Sequence, residues 1–130
     1  MHPAIIDANI HRVCEGLRVI EEYFRFVVSD EALTTRLATL RHEISHHTLP
    51  VSDRARMEAR DTDRDVRANE VISPRRNSYD LLLANMKRSQ EALRVLEEYT
   101  GDDTFRVFRY ELYDLEKECF LHIQKPWELR

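Results

Sequence analysis

The sequence is short of the residues that turn a chain. Its 130 residues include two glycines, Gly16 and Gly101, and four prolines, Pro3, Pro50, Pro74 and Pro126. An all-β fold needs a tight turn every few residues and cannot be built from so few. No two glycines lie near each other, which excludes a glycine-rich phosphate loop and a dinucleotide fingerprint. The two cysteines, Cys14 and Cys119, have no CxxC spacing and form no disulfide framework, so a reduced, cytoplasmic setting is expected. No apolar run approaches the roughly 20 residues that span a membrane. The opening Met-His-Pro-Ala-Ile-Ile-Asp lacks the basic and apolar regions of a signal peptide. Basic side chains do not dominate either. Twenty Lys and Arg face 24 Asp and Glu, for a net charge of −4, which is not the footprint of a nucleic-acid binder. Lysine itself is scarce, 3 against 17 arginines, and arginine is the residue suited to bidentate phosphate contacts.

What remains is helical. Pro3 fits the first turn of a helix, where its missing N–H costs nothing. Ile6, Ile10, Val13, Leu17, Ile20, Phe24 and Val27 then recur at steps of three and four. Ser29 or Asp30 can cap a second helix with Leu33, Leu37, Leu40 and Ile44 on its core face, closed by Pro50. Ser78 can cap a third, carrying Leu82, Met86, Leu93 and Leu96 and ending at Gly101. Thr104 can cap a fourth, with Phe105, Phe108, Leu112, Leu115, Cys119 and Ile123. The expectation is an all-α fold, a four-helix bundle in one domain over residues 1–130.

The bundle reads as a duplicated helical hairpin. Asp7–Tyr23 and Leu83–Tyr99 are identical at ten of 17 positions, including Asn9/Asn85, Arg12/Arg88, Glu15/Glu91 and Glu22/Glu98. Leu40-Arg41-His42-Glu43-Ile44 is echoed by Phe108-Arg109-Tyr110-Glu111-Leu112. Repeat one spans about residues 3–47, a long Arg/Asp-rich loop residues 48–77, and repeat two about residues 78–124.

A helical wheel places Asn9 and Arg12, and their copies Asn85 and Arg88, inside the apolar arcs. A buried arginine must be paired. Glu15, Glu22, Glu91 and Glu98 border the arcs and are the expected supporting carboxylates, with Glu43 and Glu111 as further partners. Two readings stand together: an Arg–Glu network that fixes helix register, and a polar pocket poised for an anion. Arg18, Glu21, Arg94 and Glu97 are expected on outer faces.

The loop supplies the second signal. Seven arginines from Arg54 to Arg76 interleave with acids from Asp53 to Glu70. It is either a self-neutralising mobile connector or a lid that brings guanidinium groups to phosphates. In the lid reading Arg60, Arg64 and Arg76 meet nucleotide phosphates, and Asp61 and Asp65 meet Mg²⁺. Glu43-x-x-His46 has di-metal spacing, but the second copy reads Glu111-x-x-Asp114, so no such site is expected. His42, His46 and His47 fit a polar helix end. Cys14 with His11 makes no nucleophile dyad.

The segments Asp7–Tyr23, Leu40-Arg-His-Glu43, Arg60-Asp-Thr62, Asp65-Val66 and Ala84–Tyr99 together resemble a small helical family. It is the hydroxymethylpyrimidine-phosphate kinase-like domain, found alone or fused ahead of thiamine-phosphate synthase. The likeness covers about residues 5–112. It implies transfer of the ATP γ-phosphoryl group to hydroxymethylpyrimidine phosphate with Mg²⁺, giving the diphosphate used in thiamine synthesis. Asn9, Arg12, Asn85 and Arg88 would then form the substrate pocket. Where the family's loop continues with Gly-Thr, this chain has Arg67-Ala68-Asn69. The competing expectation is a non-catalytic helical module that binds thiamine-phosphate synthase or forms a homodimer.

Overall fold

A computed structural model describes residues 1–123; residue 124, the last of repeat two as read from the sequence, and the end of the 1–130 domain lie outside the described residues. The helices are α1 (Pro3–Tyr23), α2 (Glu31–His46), α3 (Asp53–Ala59), α4 (Ser78–Thr100) and α5 (Thr104–His122), with a π-helical turn over Phe24–Val28. No strand occurs among the described residues. The chain is all-helical, and its long helices pack as a bundle.

The packing follows the repeat. α1 lies along α4, α2 folds back on α1, α5 folds back on α4, and α2 touches α5. One apolar cluster joins all four long helices. Each helical stripe read from the sequence enters it, from Ile6, Val13 and Leu17 through Leu37 and Ile44 to Leu93, Phe105 and Leu112. Gly16 sits at a close approach of α1 to α4. A side chain there would collide with Ser89 and approach the Asn85 carbonyl oxygen to 3.1 Å. The Ser89 hydroxyl uses the gap to donate to the Val13 carbonyl at 3.3 Å.

Several boundaries differ from the sequence reading, each for a local reason. The apolar stripe of α1 stops at Phe24, not Val27. The π turn adds backbone there and swings Val27 out to 65% exposure. Asp30, one of the two candidates, caps α2 by accepting from the Leu33 N–H at 2.9 Å. Asn77 rather than Ser78 caps α4, accepting from Asp80 N–H at 2.8 Å. Thr104 is the first residue of α5 rather than its cap, and its N–H is taken by Asp102 at 2.9 Å. Gly101 ends α4 as expected, at φ 68°. Repeat one makes the same left-handed exit with Ser29, at φ 58°.

The central segment is not structureless. Ser52 caps the seven-residue α3 by accepting from Ala55 N–H at 3.1 Å. None of its residues is buried, so no apolar periodicity announced it.

Candidate functional site

The repeat places its polar residues in matched pairs, though not always the expected ones. Asn9 and Asn85 each donate from Nδ2 to the carbonyl one turn earlier, on Ile5 at 2.8 Å and Leu81 at 2.9 Å. These bonds tie both side chains to their own helices. Asn9 Oδ1 also accepts from Arg12 Nη1 at 3.3 Å.

Arg12 and Arg88 are exposed, not buried, and among the described residues neither makes an ion pair with a carboxylate. Their guanidinium groups reach past the apolar arc to its edge. Glu22 and Glu98 serve Arg18 and Arg94 instead, both at 2.7 Å. Glu15 and Glu22 line a cleft of about 500 Å³ beside Cys14 and Arg41. Glu91 lines its counterpart in repeat two, a cleft of about 320 Å³ beside Arg109. Glu15, Glu22 and Glu91 therefore stand beside Arg41 and Arg109 of α2 and α5 rather than with Arg12 and Arg88, and Glu98 pairs within α4.

The register-fixing network exists, carried by residues the sequence reading put outside. Glu21, buried, takes Arg41 Nε at 3.0 Å; Glu97 takes Arg109 Nη2 at 2.8 Å. Each pair joins the two helices of one hairpin. The echo of Arg41 at Arg109 carried this signal, but the wheel placed their glutamates wrongly. The wheel sees one helix, whereas α2 and α5 cover the flank where Glu21 and Glu97 stand.

Freed from carboxylates, Arg12 and Arg88 face one cleft of about 680 Å³ between α1, α4 and the central segment. Arg67 and Arg75 line it from the segment, together with Asp65, Glu70 and the exposed side chains of Val71 and Ile72. Four arginines thus surround one opening. A neighbouring cleft of about 370 Å³ shares Asp65 and adds Asp61, Arg60 and Arg64 over the Ala4, Asp7 and Ala8 face of α1. The loop residues expected at phosphates and metal mostly gather here. Arg76 does not: it lines neither cleft, and its N–H donates to Asp80 at 3.2 Å. Arg67 and Arg75 line the larger cleft instead. Neither Asn9 nor Asn85 lines either cleft; Asn9 bonds Arg12, and Asn85 bonds its own helix.

Asp61 and Asp65 are held by their own turns. Asp61 accepts from Arg64 N–H at 3.2 Å and Asp65 from Arg67 N–H at 2.9 Å. Among the described residues no three His, Cys, Asp or Glu side chains gather as a metal site. Two carboxylates fit Mg²⁺ only where phosphate oxygens and water complete its shell, which is how that ion is commonly held.

The sequence reading missed Asp7. It is buried at the second turn of α1 and grips the central segment. Arg60 Nε donates to Oδ2 at 2.6 Å and Nη2 to Oδ1 at 3.0 Å; Arg56 Nε donates to Oδ1 at 3.0 Å. The hydrogen bonds from Arg60 hold the Asp7 carboxyl below its usual range; burial opposes this and Arg56 reinforces it. Arg60, expected at nucleotide phosphate, is therefore an anchor. A signal was available: the matching residue of repeat two is Leu83.

A protein-family profile described as the ThiD2 family matches residues 4–118. The chain belongs to the ThiD2 family. Its relatives include thiamine-phosphate synthases from Thermosynechococcus vestitus, 40% identical over 91% of this chain, and from Synechococcus sp., 38% identical over 88%. That of Rhodopirellula baltica is 37% identical over 90%. This ThiD2 chain spans about a third of the length of each: 35%, 34% and 34%. No solved structure matches it. No described helix of this member is long and apolar enough to cross a membrane.

Proposed function

We propose that this ThiD2 chain is a phosphotransferase that moves the γ-phosphoryl group of ATP onto hydroxymethylpyrimidine phosphate, supplying a diphosphate for thiamine biosynthesis in the cytoplasm. The observation that carries this reading is the cleft where Arg12, Arg67, Arg75 and Arg88 converge, with no carboxylate paired to Arg12 or Arg88 among the described residues. Surplus guanidinium charge facing one opening suits a ligand rich in phosphate.

The acceptor is itself a phosphate monoester, so its oxygen attacks without a strong base. The bond from the γ-phosphorus to the bridging oxygen of ADP breaks as the new P–O bond forms. Catalysis is then positioning and charge stabilisation. Arg12 and Arg88 hold acceptor phosphate from the bundle, while Arg67 and Arg75 close over it from the loop. Arg64 meets the nucleotide phosphates, and Asp61 and Asp65 face the same cleft as oxygen ligands for Mg²⁺. That ion, when bound, would neutralise phosphate charge. Val71 and Ile72 give the opening an apolar lip against which a heterocycle can pack.

The test is direct. Purified protein with Mg-ATP and hydroxymethylpyrimidine phosphate should release ADP and the pyrimidine diphosphate in equal amounts. ADP release without the diphosphate, or neither product, removes the reading.

A second reading, a non-catalytic module that docks on thiamine-phosphate synthase or on its own copy, has one observation in its favour. Val107, Tyr110 and Tyr113 form an exposed apolar face on α5, where the matching α2 residues are the polar Thr39, His42 and Ser45. Sedimentation of the chain with and without a thiamine-phosphate synthase distinguishes the cases. The swap Val107→Thr, Tyr110→His, Tyr113→Ser should abolish any association seen.

A further inference from the structure

Asp7 stands apart from the rest of α1. A carboxylate that is 4% exposed is costly unless its charge is met. Here it is met by two arginines of the central segment, with His11 of α1 beside them. Arg56 belongs to α3, Arg60 is the C-cap of α3, and His11 Nε2, 3.4 Å from Asp7 Oδ1, also lies 2.7 Å from Arg60 Nη2. Arg60 binds both carboxylate oxygens in a fork, the arrangement with the most geometric specificity.

The bundle does not require this carboxylate. At the same place in repeat two, on the same kind of helix in the same packing, stands Leu83. The difference lies in what each helix has to hold. α3 buries no residue of its own. Leu49 and Val51 pack its N-terminal approach against the core. At its other end, Arg60 is the last side chain tied to the bundle before residues 61–76, all of them exposed. The point where Asp7 holds Arg60 is therefore the origin from which the cleft-lining segment extends. Asp61, Arg64 and Asp65 follow at once, and Asp65, Arg67 and Arg75 then face Arg12 and Arg88.

We infer that Asp7 is a positioning residue for the anion cleft: through Arg60 and Arg56 it sets where the loop leaves the bundle, and so where Asp65, Arg67 and Arg75 stand relative to Arg12 and Arg88. It acts through these arginines and does not touch the transferred group. The kinetic side of this inference rests on the phosphoryl-transfer reading; the loop geometry and anion binding do not.

The experiment uses the full chain with Asp7→Asn, which keeps the shape and removes the charge, and Asp7→Leu, which installs the side chain repeat two carries there. Glu58→Gln, an equal charge change on an exposed part of α3 that pairs with Arg54 alone among the described residues, is the control. Helical circular dichroism first selects the variant that folds. Trypsin cutting at the loop arginines is followed with and without inorganic pyrophosphate, and initial rates are measured against hydroxymethylpyrimidine phosphate. In the folded Asp7 variant the loop should be cut about tenfold faster. Pyrophosphate should no longer protect it, and KM should rise about tenfold or more with a smaller change in kcat. Asp7→Glu should recover part of each effect, and Glu58→Gln should match the parent. A folded Asp7→Asn or Asp7→Leu protein with parental cutting, protection and KM overturns the inference, even with a lowered melting temperature. A fall in kcat at unchanged KM and unchanged cutting also overturns it, because Asp7 would then act in the chemistry. Should the parent form no diphosphate, the phosphoryl-transfer reading falls, and the cutting and pyrophosphate protection alone decide the role of Asp7.

Discussion

The two hairpins share a scaffold and differ in what hangs from it. Both lock their helices with a Glu–Arg pair, Glu21–Arg41 and Glu97–Arg109. Both fold an asparagine back on its own helix. Both carry an exposed arginine, Arg12 or Arg88, to the same cleft. They part at Asp7 against Leu83, and at Thr39, His42 and Ser45 against Val107, Tyr110 and Tyr113. The matched Glu–Arg pairs serve the bundle, while Asp7 serves the central segment that meets it. Even the shared lock is uneven. Arg41 uses Nε on Glu21, while Arg109 uses Nη2 and leaves its buried Nε without a hydrogen-bond partner among the described residues.

The largest expected effect is on the lock. Glu21→Ala strands Arg41 and should lower the urea unfolding free energy by about 3–5 kcal/mol. Glu97→Ala should cost less, because Glu97 is more exposed than Glu21 and Arg109 already has an unmet donor. Equal losses would mean the two locks are energetically the same. Next come the cleft arginines. Being exposed, Arg12→Met and Arg88→Met should each change stability by no more than about 0.5 kcal/mol, yet each should slow phosphoryl transfer about 100-fold. A variant that turns over at the parent rate removes that arginine from the site.

Gly16 sharpens the contrast between repeats, since its match is Ala92. Gly16→Ala gains helix propensity but drives a methyl group into Ser89. A net loss of about 1–3 kcal/mol is expected. Adding Ser89→Ala should return much of it; failure to do so would place the strain on the Asn85 carbonyl. The smallest effect is in acid. Hydrogen bonds from Arg60 to Asp7 and from His47 to Asp102 lower both carboxyl pKa values. The stabilisation they give is present above the unfolded carboxylate range and is lost as pH falls through the lowered folded values. Stability between about pH 5 and pH 2 should therefore fall less steeply in Asp7→Asn and Asp102→Asn than in the parent.

The four long helices were legible because each buries a stripe at helical spacing, from Ile6 and Ile10 to Leu115 and Cys119. The duplication was legible because shared residues such as Glu21 and Arg41 do the same work twice. Asp7, Arg56 and α3 were not, because charge holds them together across the chain. Arg56 and Arg60 look like any of the loop's seven arginines until the fold sets two of them against one carboxylate. Arg12 was placed on the right helix face, but a wheel has no radial coordinate. It cannot tell a long side chain that ends in the core from one that passes along it into a cleft.

Arg12 and Arg88 occupy matching positions in the two repeats and line one cleft. On that surface alone, a small dianion would lie equally well either way round, and no direction of transfer would be written into the site. The central segment removes the degeneracy. Gripped by Asp7 on one side, with Leu83 opposite it, it gives the cleft a left and a right. Under the phosphoryl-transfer reading, a repeated scaffold would thereby acquire a donor end and an acceptor end from one unmatched carboxylate.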